Sequence, residues 1–235
     1  MANFMDFSTS QPYVYELVVD TSGSMGPEVD DMRRGLIKYK KDFESFPQKG
    51  SIAIAVSKFS NDIKLGDFNV ANRIDTSYEA YGATALYYAI NKSAKHLENY
   101  ITEIITKNKV VPICTYVLLS DAEPCKDKMS RSSAETSIKK LNDIGVNTIF
   151  VPFGKAISSD FGERLGFKST KKQDSGTLIE FFDELIQSSK KQSQSRKSLG
   201  SAFFSKAKAN PNTKEYSQVT GQVLDDDDDD WLNSI

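Results

Sequence analysis

Apolar runs alternate along the chain with stretches of helical periodicity. YVYELVV at 13–19 is short and rich in β-branched residues, which predicts a buried strand. Pro27 suits the first turn of a helix, and Val29, Met32, Leu36, Ile37, Phe43 and Phe46 recur after it at roughly helical spacing. SIAIAVSKFS at 51–60 predicts a second strand and IKLGDF at 63–68 a third. The turn residues Asn61 and Asp62 between them make a hairpin. A long helix is expected over 85–107, then a central strand in PICTYVLLS at 112–120, the most continuous apolar run. A helix over 132–144 ends at Gly145, and NTIFVPF at 147–153 is another strand. SSDFGERLG at 158–166 reads as a short helix opened by a serine cap, and a last amphipathic helix begins near Thr177.

This order is that of an α/β domain with a mostly parallel sheet, helices on both faces and one antiparallel edge strand. Such sheets bind ligands beyond the carboxyl ends of their strands. DTSGSM at 20–25 and SDAEP at 120–124 both follow a strand, so both lie on that edge if the strands are parallel.

Composition narrows the class. The chain has 235 residues and a formal net charge of -2, so no global field draws it to nucleic acid or membrane. Two cysteines, Cys114 and Cys125, fit free thiols in a reducing compartment better than a disulfide scaffold. The first residues have no signal-peptide pattern and no apolar run is long enough for a membrane span, so a cytoplasmic location is expected. Near residue 190 the pattern changes. Residues 190–214 carry seven basic and no acidic side chains, and 215–235 carry seven acidic and no basic ones. Low apolar content there predicts disorder. The expected organisation is a domain at 10–189 and a disordered tail at 190–235, with a basic Ser-rich linker before the acidic segment.

Asp20, Ser22 and Ser24 stand on alternate positions after the first strand, with Gly23 letting the backbone turn. Alone they could cap a helix. Thr84, in the turn YGATAL, and Asp121, in LLSDAEP, add a hydroxyl and a second carboxylate. The set holds oxygen donors only, which suits a hard cation rather than zinc. Mg²⁺ usually takes only one or two carboxylates and fits best, with Mn²⁺ or Ca²⁺ as alternatives.

DTSGS, GATALYYAI and VLLSDAEP, in that order, resemble the metal-binding segments of von Willebrand factor A (VWA) domains, over about residues 11–188. The resemblance implies a Rossmann-like α/β sandwich. It also implies a metal-ion-dependent adhesion site (MIDAS) that binds an acidic group of a partner protein through a divalent cation. Carried over by position, Ser22, Ser24 and Thr84 would be hydroxyl ligands, and Asp20 and Asp121 would act largely through water. The chain looks most similar to small bacterial VWA proteins of tellurite-resistance and stress-response clusters. That implies a non-enzymatic scaffold working beside a kinase and a phosphatase in stress response or defence. Two departures stand out: relatives often have Asp where Tyr88 stands and Gly where Ala122 stands.

Other features have plainer readings. His96, among Lys and Glu, reads as a solvated surface residue, and Cys125 as an inert thiol. Of Tyr78, Tyr81, Tyr87 and Tyr88, some belong to the core and one or two to a binding rim. The six aspartates 225–230 are either a solubilising tail or, with Trp231, Leu232 and Ile235 after them, a docking peptide. They could also occupy the metal site of the same or a neighbouring molecule. Ser193, Ser195 and Ser198 beside Arg196 and Lys197 form a weak phosphorylation pattern. A haloacid-dehalogenase-like phosphatase using Asp20 would need a second acid two residues on, where Ser22 stands. A nucleic-acid accessory would rest on the basic linker alone.

Overall fold

The computed structural model describes residues 12–45, 51–121, 124–125, 127–152 and 160–170, with Glu184 and Gln187. Among the described residues six strands form one sheet in the order β3-β2-β1-β4-β5-β6. They are β1 (Tyr13–Asp20), β2 (Ile52–Phe59), β3 (Ile63–Lys64), β4 (Ile113–Ser120), β5 (Asn147–Pro152) and β6 (Ser169–Thr170). All pairings are parallel except β2 with β3. The helices are α1 (Val29–Glu44), α2 (Leu86–Asn108), α3 (Arg131–Asp143) and α4 (Phe161–Arg164), and a 3₁₀ turn at Gly23–Glu28 leads into α1.

The sheet's alternation sorts the core into two layers. Tyr13, Tyr15, Leu17 and Val19 of β1 pack with Met32, Leu36, Tyr39 and Phe43 of α1. Val14 and Val18 face the other side, with Leu86, Ile90 and Leu97 of α2, Ile138 of α3 and Phe161 of α4. Every residue of β1 and β4 is buried, as expected for inner parallel strands covered on both faces. Each large apolar side chain so buried contributes about 1.5–3 kcal/mol.

The predicted third strand is cut short. A Cβ on Gly66 would lie 2.4 Å from the Val56 carbonyl oxygen, so the chain passes β2 closely there and pairs again only at Asn69 with Ile54. β6, short and polar, was not expected from the sequence. Among the described residues no helix is long and apolar enough to cross a membrane. Of the helix expected from Thr177, Glu184 and Gln187 are helical and exposed. The boundary near 190, Ser158, Ala122 and the whole tail lie outside the described residues.

The expectation for His96 is corrected. It is partly buried, with Nδ1 2.9 Å from Oε2 of Glu16, a β1 residue with no exposed surface. Ser57 O–H donates to the other Glu16 oxygen at 2.5 Å, and the imidazole stacks on Phe68 at 4.8 Å. The Lys and Glu neighbours that made His96 look solvated lie on its own helix; its partner comes from the sheet.

Candidate functional site

Strands β1 and β4 are parallel neighbours with Val19 paired to Leu119, so Asp20 and Asp121 leave the sheet on the same edge. Asp20 is fully buried. Its Oδ1 accepts from the Ser22 N–H at 2.7 Å and its Oδ2 from the Ser120 hydroxyl at 2.5 Å. The Tyr78 hydroxyl donates to the Asp20 carbonyl, which fixes the end of β1 from a third segment. Ser24 O–H donates to Asp121 Oδ1 at 2.8 Å, and the Ser22 and Ser24 hydroxyl oxygens lie 2.9 Å apart. Since Ser24 spends its proton on Asp121, Ser22 is the donor between them.

Backbone bonds bring in the other two loops. Gly23 N–H donates to the Gly82 carbonyl at 2.9 Å and Tyr81 N–H to the Thr21 carbonyl at 2.7 Å. Cys125 N–H donates to the Thr84 carbonyl at 2.8 Å, joining the loop after β4 to the turn before α2. The three segments therefore close on one another pairwise. Thr84 is buried beside them, and among the described residues its hydroxyl takes no part in this hydrogen-bonded chain. Gly23 does not have the positive φ of Gly82, Gly145 and Gly166; a Cβ there would sit 3.3 Å from the Gly82 oxygen, so its small size serves close approach.

Gly82 has φ 82°, and a Cβ there would meet the Asn61 amide at 2.8 Å. That amide holds the same turn, since Asn61 Oδ1 accepts from the Ala83 N–H at 2.8 Å. Gly82→Ala is therefore expected to lower stability by about 1–2 kcal/mol. It should also weaken any ligand that uses Thr84. Urea unfolding and cation titration of the variant check both effects.

Burial pushes the Asp20 carboxyl up to about 6, and the nearby Asp121 charge adds to this. Hydrogen bonds from Ser120 and Ser22 pull the other way. Burial also raises Asp121, against the bond from Ser24. Two carboxylates raised in this way form a pocket of unneutralised negative potential when ionised. A cation would relieve it.

The donor set fits a hard divalent ion. Its charge comes from two carboxylates and its other donors are hydroxyls. In this structure Ser22 bonds Ser24 and Ser24 bonds Asp121, and those bonds are the ones an ion would replace.

Three contributors were missed by sequence reasoning. Ser120 stands one step beyond the last β1–β4 pair, opposite Asp20, and a register argument from equal strand lengths would have found it. Tyr78 was placed only as core or rim. Asp127 accepts from the Tyr87 and Tyr88 N–H groups at 2.6 and 3.0 Å, capping α2 from 40 and 39 residues away, and no local signal marks it. Among the tyrosines, Tyr78 is buried and Tyr81 is 62% exposed. Tyr88, at the departure from the resembling family, lies under Lys128 at 4.8 Å and Lys92 at 5.4 Å. Cys125 is exposed and Cys114 buried.

No family model and no curated protein matches the sequence. Solved structures do match the fold. The pilus adhesin SpaC of Lactobacillus rhamnosus GG, in its open conformation, superposes with TM-score 0.62 at 13% identity over 77% of this chain and 30% of that one. A von Willebrand factor type A protein from Catenulispora acidiphila gives 0.54 at 15% identity over 76% of this chain and 42% of that one. Manganese-loaded TRAP protein of Plasmodium vivax gives 0.55 at 16% identity over 75% and 74%. The chain thus spans less than half the length of the first two. The sheet order, the two helical layers and these likenesses lead to one conclusion: the chain has the von Willebrand factor A fold.

Proposed function

We propose that the loops at 20–24, 81–85 and 121–125 form a MIDAS through which the protein binds a carboxylate of a partner. The observation that carries this is the pairwise closure of the three loops, which gathers the oxygen atoms of Asp20, Ser22, Ser24 and Asp121 at one strand edge. Ser22, Ser24 and Thr84 are the direct ligands in this reading, and Asp20 and Asp121 hold the ion's waters. Mg²⁺ is the ion of choice, with Mn²⁺ or Ca²⁺ able to substitute. The bound ion supplies a positive centre for one further carboxylate. Because the protein's own ligands to it would be neutral hydroxyls, little of that charge is cancelled. Ser120 and the Ser22 N–H keep the Asp20 carboxylate oriented, and Tyr78 keeps its backbone in place.

The reading is a non-enzymatic interaction module. Its setting, a scaffold beside a kinase and a phosphatase in a bacterial stress-response, tellurite-resistance or defence system, rests on the resemblance of DTSGS, GATALYYAI and VLLSDAEP. The test is capture of partners from native lysate by tagged wild type and Asp20→Asn, with Mg²⁺ or with chelator. A set of proteins held only by wild type with Mg²⁺ is the expected result. Capture unchanged by both treatments, with the variant folded, contradicts the proposal.

A further inference from the structure

Beside the metal loop lies a groove of about 490 Å³ lined by Thr21, Asn61, Tyr78 and Tyr81, among others. Tyr81 is 62% exposed, yet its backbone is fixed by the bond from its N–H to Thr21, in the loop that carries Ser22. An exposed aromatic that lines a groove, on a backbone tied in place, can anchor another apolar side chain. The charges lining the groove nearly balance. Lys58 and Lys64 face Asp62, Asp75 and Glu79, and Lys58 is bonded to Asp75 at 2.7 Å. Such a groove suits an aromatic group better than an acidic run. Lys92 lies over the Tyr88 ring at the start of α2, and Lys128, over the same ring, is paired at 2.9 Å with Asp62 of the groove wall.

One segment of this chain carries matching chemistry: DDDDDDWL at 225–232, with the protein's single tryptophan. On an extended backbone Asp229 and Trp231 point to the same side, about 7 Å apart. We propose that this segment seats on its own domain, with Asp229 at the metal, Trp231 in the Tyr81 groove and the preceding aspartates toward Lys92. Reach permits it. Asp229 is 42 positions beyond Gln187. A chain of that length spans roughly 35 Å as a coil and far more when extended. Any partner carboxylate must then displace the segment, which makes it an internal competitor for the site. The inference rests on the metal-site reading.

Trp231 reports its own docking, because fluorescence excited at a wavelength that spares tyrosine comes from it alone. In the full chain, added Mg²⁺ is expected to raise Trp231 anisotropy, and chelator to reverse the rise, independently of protein concentration. The rise should be lost in Asp20→Asn and in a variant carrying Asp→Asn at all six positions 225–230. The six-site variant should still give a Mg²⁺ binding heat in calorimetry. If that heat is present but wild-type anisotropy does not move, the docking inference is overturned while the metal site stands. If the heat is absent, the metal-site reading itself fails. A rise that persists in Asp20→Asn overturns the inference by showing that the aspartates bind Mg²⁺ on their own. A rise that grows with protein concentration overturns the intramolecular seat in favour of a second copy.

Discussion

Asp20→Asn is expected to abolish divalent-cation binding and to make the metal-free protein more stable at neutral pH. The substitution keeps the shape, and the Ser120 hydroxyl can reverse to accept from the new amide. It removes a charge that burial disfavours. The carboxyl's ordinary value is 3.8 and the folded protein holds it at about 6. Between those values the folded state binds more protons than the unfolded one, so stability falls as pH rises through the window. Below it the cost is absent; above about 6 it is complete. The gap corresponds to about 3 kcal/mol at pH 7.5. Urea unfolding in chelator should therefore show the variant more stable than wild type at pH 7.5 and the difference vanishing toward pH 4. Added Mg²⁺ should raise the melting temperature of wild type only. A variant less stable than wild type at pH 7.5, or one still stabilised by Mg²⁺, would contradict the electrostatic account of the site.

The second large effect lies in the fold. His96→Ala is expected to destabilise the protein by about 3 kcal/mol, because it leaves the Glu16 carboxylate buried with only Ser57 as partner. Glu16→Gln keeps the hydrogen-bonding shape and should cost less. Burial holds Glu16 above the ordinary carboxylate range in spite of His96. For His96, burial lowers the imidazole, but the hydrogen bond and charge of Glu16 and the charge of Asp67 outweigh it, leaving it raised. The histidine keeps a quarter of its side chain in water while Glu16 has none, so burial weighs more on the carboxylate. A raised histidine stabilises fully below its unfolded value of 6.5 and loses that contribution as pH rises through the folded value. Wild-type stability should thus fall as pH rises above 6.5, and His96→Gln should flatten that slope. Equal slopes in the two proteins would show that the pair does not titrate as described.

What could be read from the sequence divides along physical lines. β1, β2, β4 and β5 stood out because buried parallel strands are continuous apolar runs. The helices over 86–108 and 131–143 stood out by periodicity. β6 is two polar residues and carries no such mark. The expected start of the first helix at Pro27 instead falls within a 3₁₀ turn, and α1 begins at Val29. Asp20, Ser22, Ser24 and Asp121 could be placed at one edge of the sheet because they follow strand ends, where topology itself points. Ser120, Tyr78 and Asp127 were not. Their roles come from contacts across 100, 58 and about 40 residues that only the folded register creates. His96 was misread for the same reason, since Glu16 is 80 residues away.

As proposed above, the three closed loops form a cation site built on hydroxyls. Crystals of the full chain soaked in Mn²⁺ test it most directly through the anomalous signal of the metal. The account predicts one peak within about 2.2 Å of the Ser22, Ser24 and Thr84 hydroxyl oxygens, with Asp20 and Asp121 one water away and the Ser24–Asp121 hydrogen bond broken. Manganese found only at other carboxylates, with that hydrogen bond intact, would contradict it.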